Sequence, residues 1–308
     1  MIEQPKFKLY FLHPKFWLTW LGVLILYLIS WLPYRLQLTL GKGLGRLFKR
    51  AMPRRVNIAR RNLELCFPDK SGPEIEQLVT KNLENTGIAY FEIGIAWWWP
   101  SWRIKRKMHV HGVENLEQAQ ADGKGVLMLL FHFLSLEVHA RLHGFVKPAV
   151  GLYRPHNNAV MEYLQTRGRG RSNKYMIQRR DVKAMLNALA AGEIAGYLPD
   201  QDYGRRRVEF VPFFSVPDAS TTTGTTLFAK HPNCNVLVSR CIRRDDGSGY
   251  DLYYEPALQG FPSGDNKIDA ERVNRLVEAA IKQAPDQYLW VHRRFKTRPL
   301  EDMPSYYD

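Results

Sequence analysis

Cysteine is scarce: Cys66, Cys234 and Cys241 are the three in 308 residues, and no two form a CxxC pair. That excludes a disulfide scaffold and a cysteine-rich zinc module, and fits a reducing compartment. Also missing are an HExxH element, a GxSxG elbow, and any zinc-finger, RNP or helix-turn-helix signature. Metalloprotease, serine-hydrolase and nucleic-acid-reading functions therefore lack their usual carriers. No internal repeat, long low-complexity tract or clear linker divides the chain. A mean hydropathy of −0.34 rules out a multi-span transporter, while leaving room for one membrane segment. The 45% hydrophobic content is enough for a sizeable core. Acids are outnumbered, 30 against 44 lysines and arginines, for a net charge of +14. Such a surface attracts anions: phospholipid headgroups, phosphorylated sugars, nucleic acid or an acidic protein.

From Phe16 to Tyr34 there are 19 residues without a charge, and aromatics stand near both ends. As a helix this run reaches about 28 Å, close to the hydrocarbon thickness of a bilayer. No small-residue cleavage site follows, which argues against a removable signal. Lys6, Lys8 and Lys15 precede the run; nine basic residues from Arg35 to Arg61 follow, with no acid before Glu64. The positive-inside rule then predicts a short tail over 1–15, a transmembrane anchor over 16–34 and a cytoplasmic domain over 35–308. The same basic run would hold the next helix on anionic lipid. A buried core helix is the competing reading of so short a run. A second membrane-facing candidate is IGIAWWWPSW, with Trp97, Trp98, Trp99 and Trp102, whose alternative is ordinary core packing.

Residues 73–98 read as a helix opened by Ser71 and Pro73. Beyond them, apolar or β-branched runs at 125–131, 149–153, 174–178, 194–198, 208–214, 235–242 and 250–255 read as strands. Helix-period stretches fall at about 135–143, 158–167, 181–191, 222–230 and 268–283. The expected fold class is α/β, with a mostly parallel central sheet of about seven strands flanked by helices and an N-terminal transmembrane helix.

FHFLSLE ends the first buried strand and carries His132 and Glu137, five residues apart. One continuous helix would hold them on different faces. With His132 on the strand-to-helix turn and Glu137 in the first helical turn, the carboxylate could fix the imidazole tautomer. The other ring nitrogen would then take a proton from an alcohol. Open α/β sheets place ligands at such carboxyl ends of strands. Ser135 lacks a nucleophile elbow and reads better as a helix cap. His132, His139 and His143 lack the other donors of a zinc site, so no metal is expected. Arg154 follows the next strand, and TRGRGRSNK brings Arg167, Arg169, Arg171 and Lys174. Bidentate arginines suit phosphate oxygens, although a solvated positive face has the same composition. LPDQDYG sets Asp200 and Asp202 beyond another buried strand, to orient an arginine or a ligand hydroxyl or to cap a loop.

HFLSLE, GLYRP, RGRGRSNK, LPDQDYG, FVPFF with TTTGTT, and QYLWVHRRFKTRP occur in that order along nearly the whole chain. The series resembles the late acyltransferases of lipid A biosynthesis, in the lysophospholipid acyltransferase superfamily. The HxxxxE element is shared across the superfamily; the RSNK and QYLWVHRRFKTRP strings are specific to the lipid A branch. The resemblance implies an enzyme of the bacterial inner membrane, single-pass, with its catalytic domain at the cytoplasmic face. Its co-substrate would be an acyl-acyl carrier protein and its acceptor a hydroxyacyl chain of the Kdo-bearing lipid A precursor. No bound cofactor and no nucleic-acid partner are implied. His132 and Glu137 would be catalytic. Arg154, Arg169, Arg171 and Asp200 would bind substrate, with Arg169 and Asp200 the more important by family position. Oxyanion donors would be backbone amides after His132 or a nearby arginine. The rival readings are a glycerol-phosphate or mannoside acyltransferase of the same superfamily, a non-catalytic basic membrane or nucleic-acid-binding protein, and a soluble zinc hydrolase.

Overall fold

A computed structural model describes residues 5–307. The first four residues of the expected 1–15 tail, and Asp308 at the end of the expected 35–308 domain, lie outside the described residues. The apolar N-terminal run does not form one helix. Single 3-10 turns at Leu9–Leu12 and Pro14–Phe16 lead into α1 (Trp17–Ser30), of 14 residues, and α2 (Tyr34–Ala51) follows. Pro33 is the reason. A residue before proline is pushed out of helical backbone, so the chain turns a corner at Trp31 and Leu32. The corner is locked from within: Gln37 Nε2 donates to the carbonyls of Ser30 and Leu32 at 2.9 Å each. Trp99 Nε1 also donates to Ser30 O, and Arg103 Nη2 reaches Leu32 O at 2.6 Å.

At about 1.5 Å per residue α1 spans roughly 21 Å, short of the ~30 Å hydrocarbon core. Among the described residues no helix is long and apolar enough to cross a membrane. The single helix expected over 16–34 is thus two helices divided at Pro33. Instead α1 packs along α4 (Gly72–Trp98), with Tyr27 edge-on to Trp98 at 5.4 Å between ring centroids. Its outer side leaves Trp17, Leu18, Leu21, Leu24, Ile25 and Leu28 exposed.

Helix α3 (Pro53–Cys66) follows α2, and α4 opens where expected, with Ser71 N–H donating to Glu74 Oε2 at 2.8 Å. α2 crosses α4 at glycine: a Cβ on Gly87 would lie 2.1 Å from Gly41 O, so only glycine permits this approach. After α5 (Ser101–Lys105) the order is β1 (Met108–His111), α6 (Val113–Ala119), β2 (Gly125–Leu129), α7 (Leu136–Val146), β3 (Ala149–Tyr153), α8 (Ala159–Arg169), β4 (Asn173–Gln178), α9 (Val182–Ala190) and β5 (Ile194–Tyr197). Then come β6 (Val208–Phe213), β7 (Val216–Thr222), α10 (Gly224–Ala229), β8 (Cys234–Arg243), β9 (Tyr250–Tyr254) and α11 (Asn266–Gln283).

The central sheet has seven strands in the order β1-β9-β8-β2-β5-β3-β4, and only the β8–β9 pair is antiparallel. The expected class and strand number hold, with one exchange of members. Residues 208–214 pair with β7 in a separate antiparallel hairpin. Pro212 lacks the N–H that a central strand must donate, and Phe214 turns at φ 50°. The seventh place goes to β1, four residues at the edge, too short to announce itself.

All five residues of β2 are buried, because helices cover both faces of the sheet. Val126 and Met128 face α7 and the end of α4, through Val138, Leu142, Ile95 and Trp97. Leu127 and Leu129 face the opposite layer, where α3, α9, α11 and the C-terminal segment around Trp290 pack.

Candidate active site

β2 and β5 are hydrogen-bonded neighbours, so the loops leaving their carboxyl ends emerge side by side. The first carries His132 and the second Asp200. Asp200 Oδ1 lies 2.6 Å from His132 Nδ1, and its Oδ2 accepts the His132 backbone N–H at 2.7 Å. Tyr288 Oη donates to the same Oδ2 at 2.9 Å. The carboxylate is 1% exposed. Burial alone would raise its pKa, but the imidazole charge, the bonds from His132 and the Tyr288 hydroxyl outweigh it and hold the group below the usual carboxylate range. Burial and the Asp200 charge push the Tyr288 phenol well up, so it stays a donor. With Nδ1 committed, Nε2 is the ring nitrogen left for substrate. The His132 side chain is 19% exposed, partly open to a partner.

The C-terminal QYLWVH string clamps this loop. Leu289 N–H donates to His132 O at 2.9 Å, Leu134 N–H donates to Gln287 O at 2.8 Å, and Phe133 bridges Tyr288. The clamp is itself held: Asn82 Nδ2 reaches Tyr288 O at 2.7 Å, and Asn62 Nδ2 reaches Trp290 O at 2.6 Å. A small cavity beside His132 is closed by Asn62, Gln201, Leu289 and His292. Burial first, then the nearby His132 charge, pushes His292 down to about 4, so its ring is neutral near pH 7.

Glu137 sits in the first turn of α7, as expected, but its partner differs. Arg169 holds it with Nε at 3.0 Å from Oε1 and with Nη2, and Trp97 Nε1 donates to Oε2 at 3.0 Å. No hydrogen bond joins Glu137 to His132. The carboxylate that holds the ring is Asp200, a residue expected to bind substrate. The pairing missed Asp200 because 68 residues separate it from His132, and only the β2–β5 neighbourhood brings the two loops together.

The remaining candidates separate clearly. Arg171 donates to the carbonyls of Trp97 and, at 3.0 Å, Trp99, fastening the end of α8 to the end of α4. Arg154 is exposed just past β3 and makes no ion pair among the described residues. Asp202 caps a loop, accepting from Gly204 N–H at 2.9 Å and Thr297 N–H at 2.8 Å. Ser135 takes the N-cap position of α7, as expected, but its buried Oγ donates to Cys241 O at 2.7 Å and caps no amide of the helix. His139 and His143 bond Ser239 and Tyr254 at 2.9 and 2.6 Å, away from His132. Of the tryptophans in the second membrane-facing candidate, Trp97 and Trp99 are core and Trp102 is 60% exposed. The N–H groups of His132, Phe133 and Leu134 are all engaged within the protein, which narrows the amides able to serve an oxyanion.

Beneath the mouth marked by Glu137 and Arg169 lies a narrow apolar trough between α7 and the sheet, about 80 Å³ in volume. It is lined by Leu130, Leu136, Leu152, Met176 and Leu198 among others. An open α/β sheet holding an imidazole on a buried carboxylate, next to such a trough, suits base-assisted transfer of a group with a long apolar tail. The chain belongs to the bacterial lipid A biosynthesis acyltransferase family, whose family model matches residues 4–297. It is 46% identical over 307 residues to the lipid A biosynthesis lauroyltransferase of Escherichia coli K12, covering 100% of both chains. It is 43% identical over 306 residues to the palmitoleoyltransferase of the same organism, covering 99% of this chain and 100% of that one. A lipid A biosynthesis acyltransferase of Haemophilus influenzae is 44% identical over 309 residues, 99% of each. The protein is thus an acyltransferase of lipid A biosynthesis, transferring acyl chains to the lipid A precursor.

Proposed function

We propose that the enzyme takes its acyl group from an acyl carrier protein thioester and places it on the hydroxyl of a hydroxyacyl chain of the Kdo-bearing precursor. His132 is the general base and Asp200 the carboxylate that orients it. The observation that carries this reading is the 2.6 Å contact between His132 Nδ1 and Asp200 Oδ1, which commits Nδ1 and keeps Nε2 for the proton of a substrate hydroxyl. The Nε2 lone pair accepts the hydroxyl proton as the oxygen attacks the thioester carbon. A C–O bond forms, the C–S bond breaks, and the imidazolium returns its proton to the departing thiolate. Asp200 stabilises the charged ring at that moment and fixes its tautomer beforehand. No acyl-enzyme is required, since thiolate already leaves well. Glu137 and Arg169 shape the mouth of the trough, with the guanidinium available to developing negative charge. Arg154, exposed just past β3, would meet acceptor phosphate or sugar acid.

The exposed face of α1 and the basic side of α2 and α3 support a position at the cytoplasmic face of the inner membrane, with the short helix lying in the interface instead of spanning. The acidic carrier protein would be drawn to the basic surface. The test is incubation of the purified enzyme with lipid A precursor and a mixture of acyl carrier protein thioesters, followed by mass spectrometry of the lipid. Acylated precursor is expected from the wild type and none above background from His132→Ala. Wild-type turnover by a folded His132→Ala protein would overturn the assignment.

A further inference from the structure

The trough exists because of a feature of sheet register. Met128 on β2 lies opposite Gly196 on β5, and Gly151 on β3 lies opposite Met176 on β4. Val150 opposite Ala195 sets the two middle strands in step, so Gly151 stands beside Gly196. One row across four strands therefore reads Met128–Gly196–Gly151–Met176, and its two central positions carry no side chain. On the face turned to α7 this leaves a channel floored by backbone.

The channel has a direction. Two residues toward the carboxyl ends stand Leu130 and Leu198, each two residues before His132 and Asp200 respectively. Two residues the other way is Ala149, paired with Asn173. The distance along the strands is about 13 Å, at roughly 3.3 Å per residue. α7 runs back over the sheet, so Glu137 covers the open end while His143 covers the far one. His143 is buried, and its ring Nε2 has no partner among the described residues. Burial pushes its pKa down to about 4, leaving a neutral polar edge. With Asn173 it closes the channel on polar surface, where a terminal methyl gains nothing by going deeper.

We infer that this glycine-floored channel takes the donor's fatty acyl tail, and that Gly151 on its floor and His143 at its far end set the length accepted. The inference rests on the proposed function and names the gauge within that same site. A Cβ at Gly151 would stand on the channel floor, 2.8 Å from Met176 Sδ and 2.9 Å from Asn173 Oδ1, both ends of flexible side chains that must shift to admit it. Gly151→Ala therefore shortens it. His143→Ala removes the ring and lengthens it.

The experiment offers wild type and each variant an equimolar mixture of ten- to sixteen-carbon carrier protein thioesters with lipid A precursor, and reads the acyl distribution of the product. Each methylene lodged or excluded is worth about fourfold, from ~0.8 kcal/mol per buried CH₂. The ratio between donors two methylenes apart should fall about fifteenfold toward the shorter in Gly151→Ala, and rise toward the longer in His143→Ala. Thermal melts establish that each variant is folded, and if His143→Ala is not, Gly151→Ala decides alone. Folded variants that keep the wild-type distribution, or that both move the same way, overturn the length gauge while leaving the reaction intact. A wild type that acylates no precursor from any carrier thioester overturns the reaction itself.

Discussion

Replacing Asp200 by asparagine isolates the carboxylate without altering its shape. In the native site its two oxygens receive the His132 amide at 2.7 Å, the ring Nδ1 at 2.6 Å and the Tyr288 hydroxyl at 2.9 Å. Asparagine offers one oxygen and one NH₂. The oxygen suits the amide and the phenol, which are both donors. The NH₂ then faces Nδ1 and donates to it. Nδ1 loses its proton, Nε2 gains it, and the nitrogen that should accept from the lipid hydroxyl is occupied. A wrong-tautomer asparagine in a serine-protease triad costs ~10⁴ in kcat with geometry intact. Here a loss of about 10² to 10⁴ is expected, or ~3–5.5 kcal/mol at about 1.4 kcal/mol per decade. Donor KM should change little, because the trough is untouched. Initial rates of carrier thiol release, with Glu137→Gln measured alongside, make the comparison. Glu137→Gln removes the counter-charge of Arg169 and should act less on kcat. Asp200→Asn within threefold of wild type, beside an inactive Glu137→Gln, would refute the reasoning and restore Glu137 as the partner of the imidazole.

Arg171→Ala should lower thermal stability, since the partly buried carbonyls of Trp97 and Trp99 lose their donor at a cost of about 1 kcal/mol, with acceptor KM unchanged; a raised KM at unchanged melting temperature would return Arg171 to the substrate. Aspartates at Leu21 and Leu24, which are 53% and 52% exposed, should abolish co-sedimentation with anionic vesicles without moving the melting temperature, and retained binding would remove α1 from the membrane contact. Stability should also depend on pH through His139 and His143, which burial (with the His143 charge in the case of His139) holds near 3 and 4. The folded rings stay neutral while the unfolded ones charge below about 6.5. This contribution is complete above pH 6.5 and falls by about 1.4 kcal/mol per pH unit for each ring as the pH drops toward 4. Urea midpoints that stay level from pH 7 to 5 would contradict it.

Local pattern carried much of the architecture. The apolar runs at 125–131, 149–153, 174–178, 194–198, 235–242 and 250–255 are strands of one sheet, and the helices between them fall where a 3.6 period places them. Ser71 and Pro73 announced α4 within a residue. Other features failed for identifiable reasons. The uncharged stretch over 16–34 has transmembrane composition, but Pro33 interrupts it and Gln37 and Trp99 seal the bend. The 208–214 run has strand composition, but it pairs with residues on its own far side.

Chemical identity at the site was written in the chain: a histidine at the end of a buried strand, a glutamate in the following turn, an aspartate beyond another strand, and the C-terminal QYLWVH string. Partnership was not. Whether His132 met Glu137 or Asp200 depended on β5 lying next to β2, a contact between segments 68 residues apart. The trough likewise arises from two glycines aligned on neighbouring strands, each unremarked in its own segment. Short-range periodicity encodes which residues turn inward, because side chains repeat along a helix or strand. Which inward residues touch is decided by strand order and register, set only when the whole sheet packs.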